Sequence, residues 1–168
     1  MPGPFDSSSQ TPGPIVQVVN TTSTAVATGT TIIPIDDTIP QITEGDEYMT
    51  LTITPKNTNN ILVIQALVVG SSSVSTSLIA ALFQDSTANA LATDIQFQLT
   101  ATGVMTIPLT HTMSAGTTSA TTFRIRAGAA NAGTFTFNGS GAARLFGAIT
   151  KSSIVITEYR APTIDSAL

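Results

Sequence analysis

Cysteine and tryptophan are both absent from this 168-residue chain. Without cysteine there is no disulfide staple, no thiolate nucleophile and no thiol-based zinc site. Charge is scarce too: six basic and ten acidic residues make up 10% of the chain, against roughly 25% in an ordinary soluble domain. The net charge of −4 comes without the clustered Lys and Arg that neutralise phosphates, which argues against nucleic acid as a partner. There is one histidine, His111, so a nucleophile–histidine arrangement has at most one base to draw on. No G-x-S-x-G elbow, phosphate-cradling loop or H-E-x-x-H pair occurs. The longest apolar run, residues 61–69, is broken by Gln65 and is far too short to span a bilayer. Residues 1–14 show neither the positive nor the apolar region of a signal peptide. No enzyme, no cofactor, no metal and no membrane partner is expected from these absences.

Hydroxyl side chains take the place of the missing charges. The chain holds 30 threonines and 16 serines, with 12 glycines and 9 prolines. Threonine is branched at Cβ and fits a pleated strand better than a helix. Such a composition reads as many short strands joined by tight turns, in a chain that lives in an assembly.

The apolar pattern agrees. In EYMTLTITP (47–55), Met49, Leu51 and Ile53 alternate with threonines, the signature of a strand buried on one face. TTFRIRAG (121–128) sets Phe123 and Ile125 against Arg124 and Arg126, and GTFTFNG (133–139) sets Phe135 and Phe137 against threonines. Turns are marked by PKNTNN (55–60), FQDSTANA (83–90), AGAANAG (127–133) and NGSGAA (138–143). About nine to eleven strands at this spacing predict an all-β, antiparallel, jelly-roll-like sandwich with very little helix.

Two segments break the alternation by being apolar on both faces, ILVIQALVV (61–69) and LIAALF (78–83). A strand of that kind needs cover on its outer side. A second copy is the expected cover, and Ile61, Val63, Leu67 and Val69 are the candidate subunit-packing residues. At the N-terminus, MPGPFDSSSQTPGP cannot be helix or central strand, because proline lacks the amide donor. This stretch is read as an extended arm, and a period of two begins at Ile15. The expected organisation is an attachment arm over residues 1–27, with Phe5, Ile15 and Val16 as candidate anchors in a partner, a sandwich over 28–160 and a short tail over 161–168.

Five of the ten acids, Asp36, Asp37, Glu44, Asp46 and Glu47, crowd into one segment. Paired carboxylates serve glycoside hydrolysis, and oxygen ligands serve calcium, but the spacing fits no calcium loop and a solvated loop accounts for it. Tyr48 and Tyr159 are the only aromatics with a polar handle for a sugar, and packing at a sheet edge explains each equally.

The succession of DDTIPQITEGDEYMTLTITPKNTNNILVIQA, ALFQDSTANALA, LTHTMSAGTTSATTFRIRAG and FNGSGAARLFGAITKSSIVITEY resembles a domain of tailed-phage and prophage structural proteins. That domain is common at the C-terminal end of tail-fibre-like proteins, and the similarity covers about residues 28–160. The resemblance implies a homotrimeric β-sandwich on a virion surface, made in the host cytoplasm, with other virion proteins as partners and a host-surface glycan as a further candidate. It implies no catalytic residue. A capsid decoration, cement or head-fibre protein is the alternative expectation, and a virion-associated glycan hydrolase the third.

Overall fold

The computed structural model describes residues 13–161. Its strands run β1 (Ile15–Ser23), β2 (Ala27–Gly29), β3 (Asp46–Ile53), β4 (Ile61–Ser72), β5 (Thr76–Gln84) and β6 (Ala92–Gln98). They continue as β7 (Met105–Ser114), β8 (Thr121–Ala129), β9 (Phe135–Phe137), β10 (Gly139–Ser140), β11 (Ala143–Arg144) and β12 (Ser152–Tyr159). A three-residue 3-10 turn, Phe146–Ala148, is the one helical element among the described residues. Every pairing is antiparallel, so the expected all-β sandwich is what forms.

The first sheet has the order β1-β12-β4-β9-β2, with β7 along the other edge of β4; the second has the order β3-β8-β5-β6. Alternation dictates which side chains meet between them. Leu62, Ile64 and Val68 of β4 and Ile154 and Ile156 of β12 face Leu78 and Leu82 of β5 and Phe123 and Ile125 of β8, all fully or nearly fully buried. Each such side chain contributes roughly 1.5–3 kcal/mol by leaving water. Phe135 and Phe137 close one end of this core, and Tyr48 stacks on Phe137 with ring centroids 4.8 Å apart. Pro108 sits in β7, which pairs only with β4 and so is an edge strand, where a missing amide donor is tolerated.

Two expectations change. Residues 15–23 are not part of a free arm: they form β1, paired with β12 from Ile15 opposite Tyr159 to Ser23 opposite Ser152. The sandwich therefore begins at Ile15 and not near residue 28, because the alternation of Gln17, Val19 and Thr21 lays this stretch on an open edge of β12. Second, the outer side of β5 is covered by the chain itself. Ile79, Ala81 and Phe83 pack under Ile33, Ile42 and Ala90. Residues 30–45 are strapped across the second sheet by Ile33 N donating to Ala129 O (3.1 Å) and by Arg126 donating to the carbonyls of Glu44 and Gly45. Gly128 lets the strap lie close, since a Cβ there would stand 2.6 Å from Thr31 O.

Candidate functional site

The outer side of β4 has no such strap. Since Leu62, Ile64, Ala66 and Val68 point into the core, Ile61, Val63, Gln65, Leu67 and Val69 point outward. The ladders place Tyr159 beside Ile61, Thr157 beside Val63 and Ser153 beside Leu67, and β7 sets Thr112 and Pro108 against Val63 and Leu67 on the other side. Val18 stands outward on β1, 49% exposed. None of the outward positions on β1, β12, β4 and β7 carries a charge. The second sheet differs: its outward Arg124 pairs with Glu47 at 3.2 Å, and Arg126 lies 3.9 Å from the same carboxylate. Of the four sequence candidates on β4, Ile61 and Val63 are half-buried, Leu67 is exposed and Val69 is buried. The sequence-predicted packing residues thus share one uncharged, partly apolar face.

The end of the sandwich where the described chain starts and stops is pinned by one carboxylate. Glu158 lies on the inward side of β12 with no exposed surface. It accepts hydrogen bonds from Asn60 Nδ2 (2.6 Å), the Lys56 amide (2.8 Å) and Gln17 Nε2. Burial pushes its carboxyl up, but these donors and the Asn57 amide outweigh it and hold the group below its ordinary value. Arg160 N donates to Pro14 O (3.0 Å), so Pro14 lies beside the C-terminal end of β12. Ile15 is exposed and Val16 half-buried at the register shift between Ile15 and Gln17. Phe5 lies outside the described residues.

At the opposite end, Phe97 and Leu99 are 69% and 87% exposed where β6 runs out. With Ile35, Ser75, Ser77 and Asn131 they line an open depression of about 480 Å³ that has no charged residue in its wall. Farther round, Phe146 and Ile149 are 78% and 77% exposed. Sequence reasoning singled out none of these four side chains. Phe97 was legible only as an aromatic in alternation with Gln96 and Gln98, and Phe146 as an aromatic between glycines.

The acidic segment does not converge. Asp36 accepts from the amide and hydroxyl of Thr38, and the hydroxyl, then the amide, holds its carboxyl low. Glu44 accepts from the Gln41 amide, Asp46 caps Thr31, and Glu47 faces the two arginines. Among the described residues, no three His, Asp or Glu side chains come together. His111 lies on the inward side of β7 between Leu109 and Met113, where burial pushes its imidazole down. Tyr48 is not available to a ligand: its hydroxyl is buried without a partner, and burial, then the charge of Asp46, pushes the phenol up.

Residues 20–164 match the family model of the Pgp3 C-terminal domain. The matched family is therefore not the tail-fibre group that the sequence segments resemble. No curated protein sequence matches the chain. Among solved structures, it is similar to a sugar-binding EclA C-terminal domain, at 15% identity and TM-score 0.37, over 68% of this chain and 74% of that one. It is similar also to the Eiger TNF of S. frugiperda, at 10% identity and TM-score 0.47, over 90% and 98%. A third is infectious bursal disease virus Gx strain, at 15% identity and TM-score 0.39, over 86% and 37%.

Proposed function

The chain belongs to the Pgp3 C-terminal domain family, and from that premise we propose a non-enzymatic structural role as a self-associating display module. The working form is a homotrimer at the surface of a phage particle, held there by the N-terminal segment. The observation that carries self-association is the uncharged outer face of β1, β12, β4 and β7. A monomer gains nothing from leaving charge off one face, because charged residues are what keep sheet faces and edges from associating. A face of threonine, valine, isoleucine and leucine is what a partner copy would cover at low desolvation cost. The particle role is supported by the charge-poor, hydroxyl-rich composition, which suits a chain that works inside an assembly. The described chain starts and stops at one end, where Ile15 pairs with Tyr159, and the neutral depression at Phe97 lies at the other, a layout that suits attachment below and contact with an uncharged host-surface glycan above.

Light scattering on the whole chain at micromolar concentration tests the proposal. A mass near three times 17.3 kDa is expected, falling to one copy when a carboxylate is placed on the face by Leu67→Glu. A wild-type chain that is monomeric throughout would end the reading. Counting copies per particle by quantitative mass spectrometry separates a tail position, with about a dozen copies, from a shell position with hundreds.

A further inference from the structure

β9 and β12 are one strand interrupted. Both lie along the same edge of β4, with Phe137 opposite Gly70 and Ser153 opposite Leu67. The two places between are filled by Asn138, whose amide donates to Val69 O (2.8 Å), and by Ser152, whose hydroxyl accepts from Val69 N (2.9 Å). Residues 139–151 leave the row here and return to the same place. The seam is closed without them: Ser152 Oγ donates to Asn138 Oδ1 (2.8 Å), and Asn138 Nδ2 donates to Ser23 O (2.8 Å) and Ala25 O (3.2 Å). Asn138 has φ 55°, a value that asparagine tolerates better than most residues. The row of β9 and β12 along β4 is complete without the excursion.

The excursion leans over the uncharged face. Phe135 and Phe137 are core residues, so Thr136 and its ladder partner Ser71 point outward. Ser71 Oγ donates to Gly139 O (3.0 Å), and the Ala142 amide donates to Thr136 Oγ1 (3.2 Å). Beyond that point the backbone is strained. Phe146, Gly147 and Ala148 take consecutive left-handed conformations, at φ 48°, 65° and 69°. Such residues cost of order 1–3 kcal/mol when they are not glycine. Among the described residues the turn gains two backbone hydrogen bonds, from Ala148 N to Leu145 O (2.9 Å) and from Ile149 N to Phe146 O (3.3 Å), but no apolar burial, since it holds Phe146 and Ile149 out in solvent.

We infer that residues 139–151 are a clasp received by a second copy of this chain, with Phe146 and Ile149 as its apolar contacts. The inference rests on the self-association proposed above and names what completes it. Four strands about 4.8 Å apart and some nine residues long give a face of roughly 500 Å² in projection. A stable interface takes about 800 Å² from each partner. The clasp adjoins that face and adds the missing area, Phe146 alone bringing up to about 150 Å². Arg144 and Lys151 flank the apolar pair and are exposed, and the ion pairs among the described residues join only Arg124 and Arg126 to Glu47.

Two variants of the full chain test the clasp: Phe146→Ser with Ile149→Ser, and an excision that joins Asn138 directly to Ser152. Sedimentation velocity from 0.1 to 50 µM reads association, circular dichroism reads the fold, and flotation with vesicles containing phosphatidylglycerol reads an alternative occupant. Both variants are expected to keep the β signature and to dissociate at concentrations about 100-fold higher than the wild type, the size of two lost hot-spot side chains. If both associate like the wild type while Leu67→Glu does not, the clasp is wrong and the face remains. If the wild type is itself monomeric, the self-association reading fails and takes the clasp with it. Vesicle binding by the wild type that is lost in the serine variant, with association unchanged, would assign the apolar pair to a lipid surface and overturn the inference.

Discussion

Replacing Glu158 with glutamine changes a charge and almost no volume, which makes it a clean probe of the end where the described chain starts and stops. The carboxylate has no exposed surface and serves three donors at once: Asn60 Nδ2, the Lys56 amide and Gln17 Nε2. Through them it ties the turn after β3, the start of β4 and the edge strand β1 to β12. Hydrogen bonds to a charged group contribute about 1.5–3 kcal/mol, against about 0.5–1.5 for neutral ones. In Glu158→Gln the new oxygen can keep Asn60 and Lys56 as neutral bonds, while the new amide nitrogen meets Gln17 Nε2 donor to donor. Gln17 can turn its oxygen inward, but its nitrogen then gives up Thr54 O, which it also holds (2.9 Å). The loss sums to roughly 2–3 kcal/mol at pH 7, or about 4–12 °C in Tm for a chain of this size. Urea titration by circular dichroism at fixed protein concentration reads it. The pH dependence sharpens the test. Because the folded carboxyl is held below its ordinary value near 4.5, its stabilisation is fully present above that value and is lost as pH falls through the lower folded value. The gap between wild type and variant should stay level from pH 7 to about 5 and close below it. A gap under about 0.5 kcal/mol at pH 7, or one that widens in acid, would refute the assignment.

Gly128→Ala should loosen the strap over the second sheet, because the added Cβ meets backbone on both near sides, Thr31 O at 2.6 Å and Gly45 Cα at 3.3 Å. A loss of about 1–3 kcal/mol is expected, with faster amide exchange over residues 30–45 than over β4 or β12; uniform exchange changes would count against a local strap. Phe97→Ala should leave mass and melting temperature within error of wild type and lower binding to neutral glycans on an array at least tenfold, since stacking on this ring supplies the depression's one aromatic platform. Unchanged glycan binding would remove the depression from the display role.

Where one face of a strand meets the core and the other meets water, the pattern was plain in the residues. β3 with Met49, Leu51 and Ile53, β8 with Phe123 and Ile125, and β9 with its two phenylalanines all follow period two, and all pair as that period requires. β7 was harder to see, since Pro108 stands in its middle, and only an edge position with no ladder partner on one side makes that proline compatible with a strand. β1 shows the period of two from Ile15 onward, yet the arm was drawn to residue 27, so a paired edge strand was assigned to the attachment segment. The stretch RLFGAIT, residues 144–150, turns left-handed three times in succession at Phe146, Gly147 and Ala148, a feature that apolar content cannot encode.

The two strands that are apolar on both faces gave the same signal and found different cover, and the difference lies in the connections. The β2–β3 connection, residues 30–45, is long enough to cross the second sheet and bury Ile79 and Phe83 under Ile33, with its own carboxylates spent on local caps. The turns that bracket β4 are short: PKNTNN on one side and Ser73 to Ser75 on the other have no length to spare. The one long segment near β4 is the excursion at 139–151, and it reaches only the end of the strand, over Ser71 and Thr136. Period therefore tells that a strand needs cover, and connection length tells whether the chain can supply it. For β5 it can. For the stretch Ile61–Leu67 no described connection can, and that uncharged face is where the proposed second copy would stand.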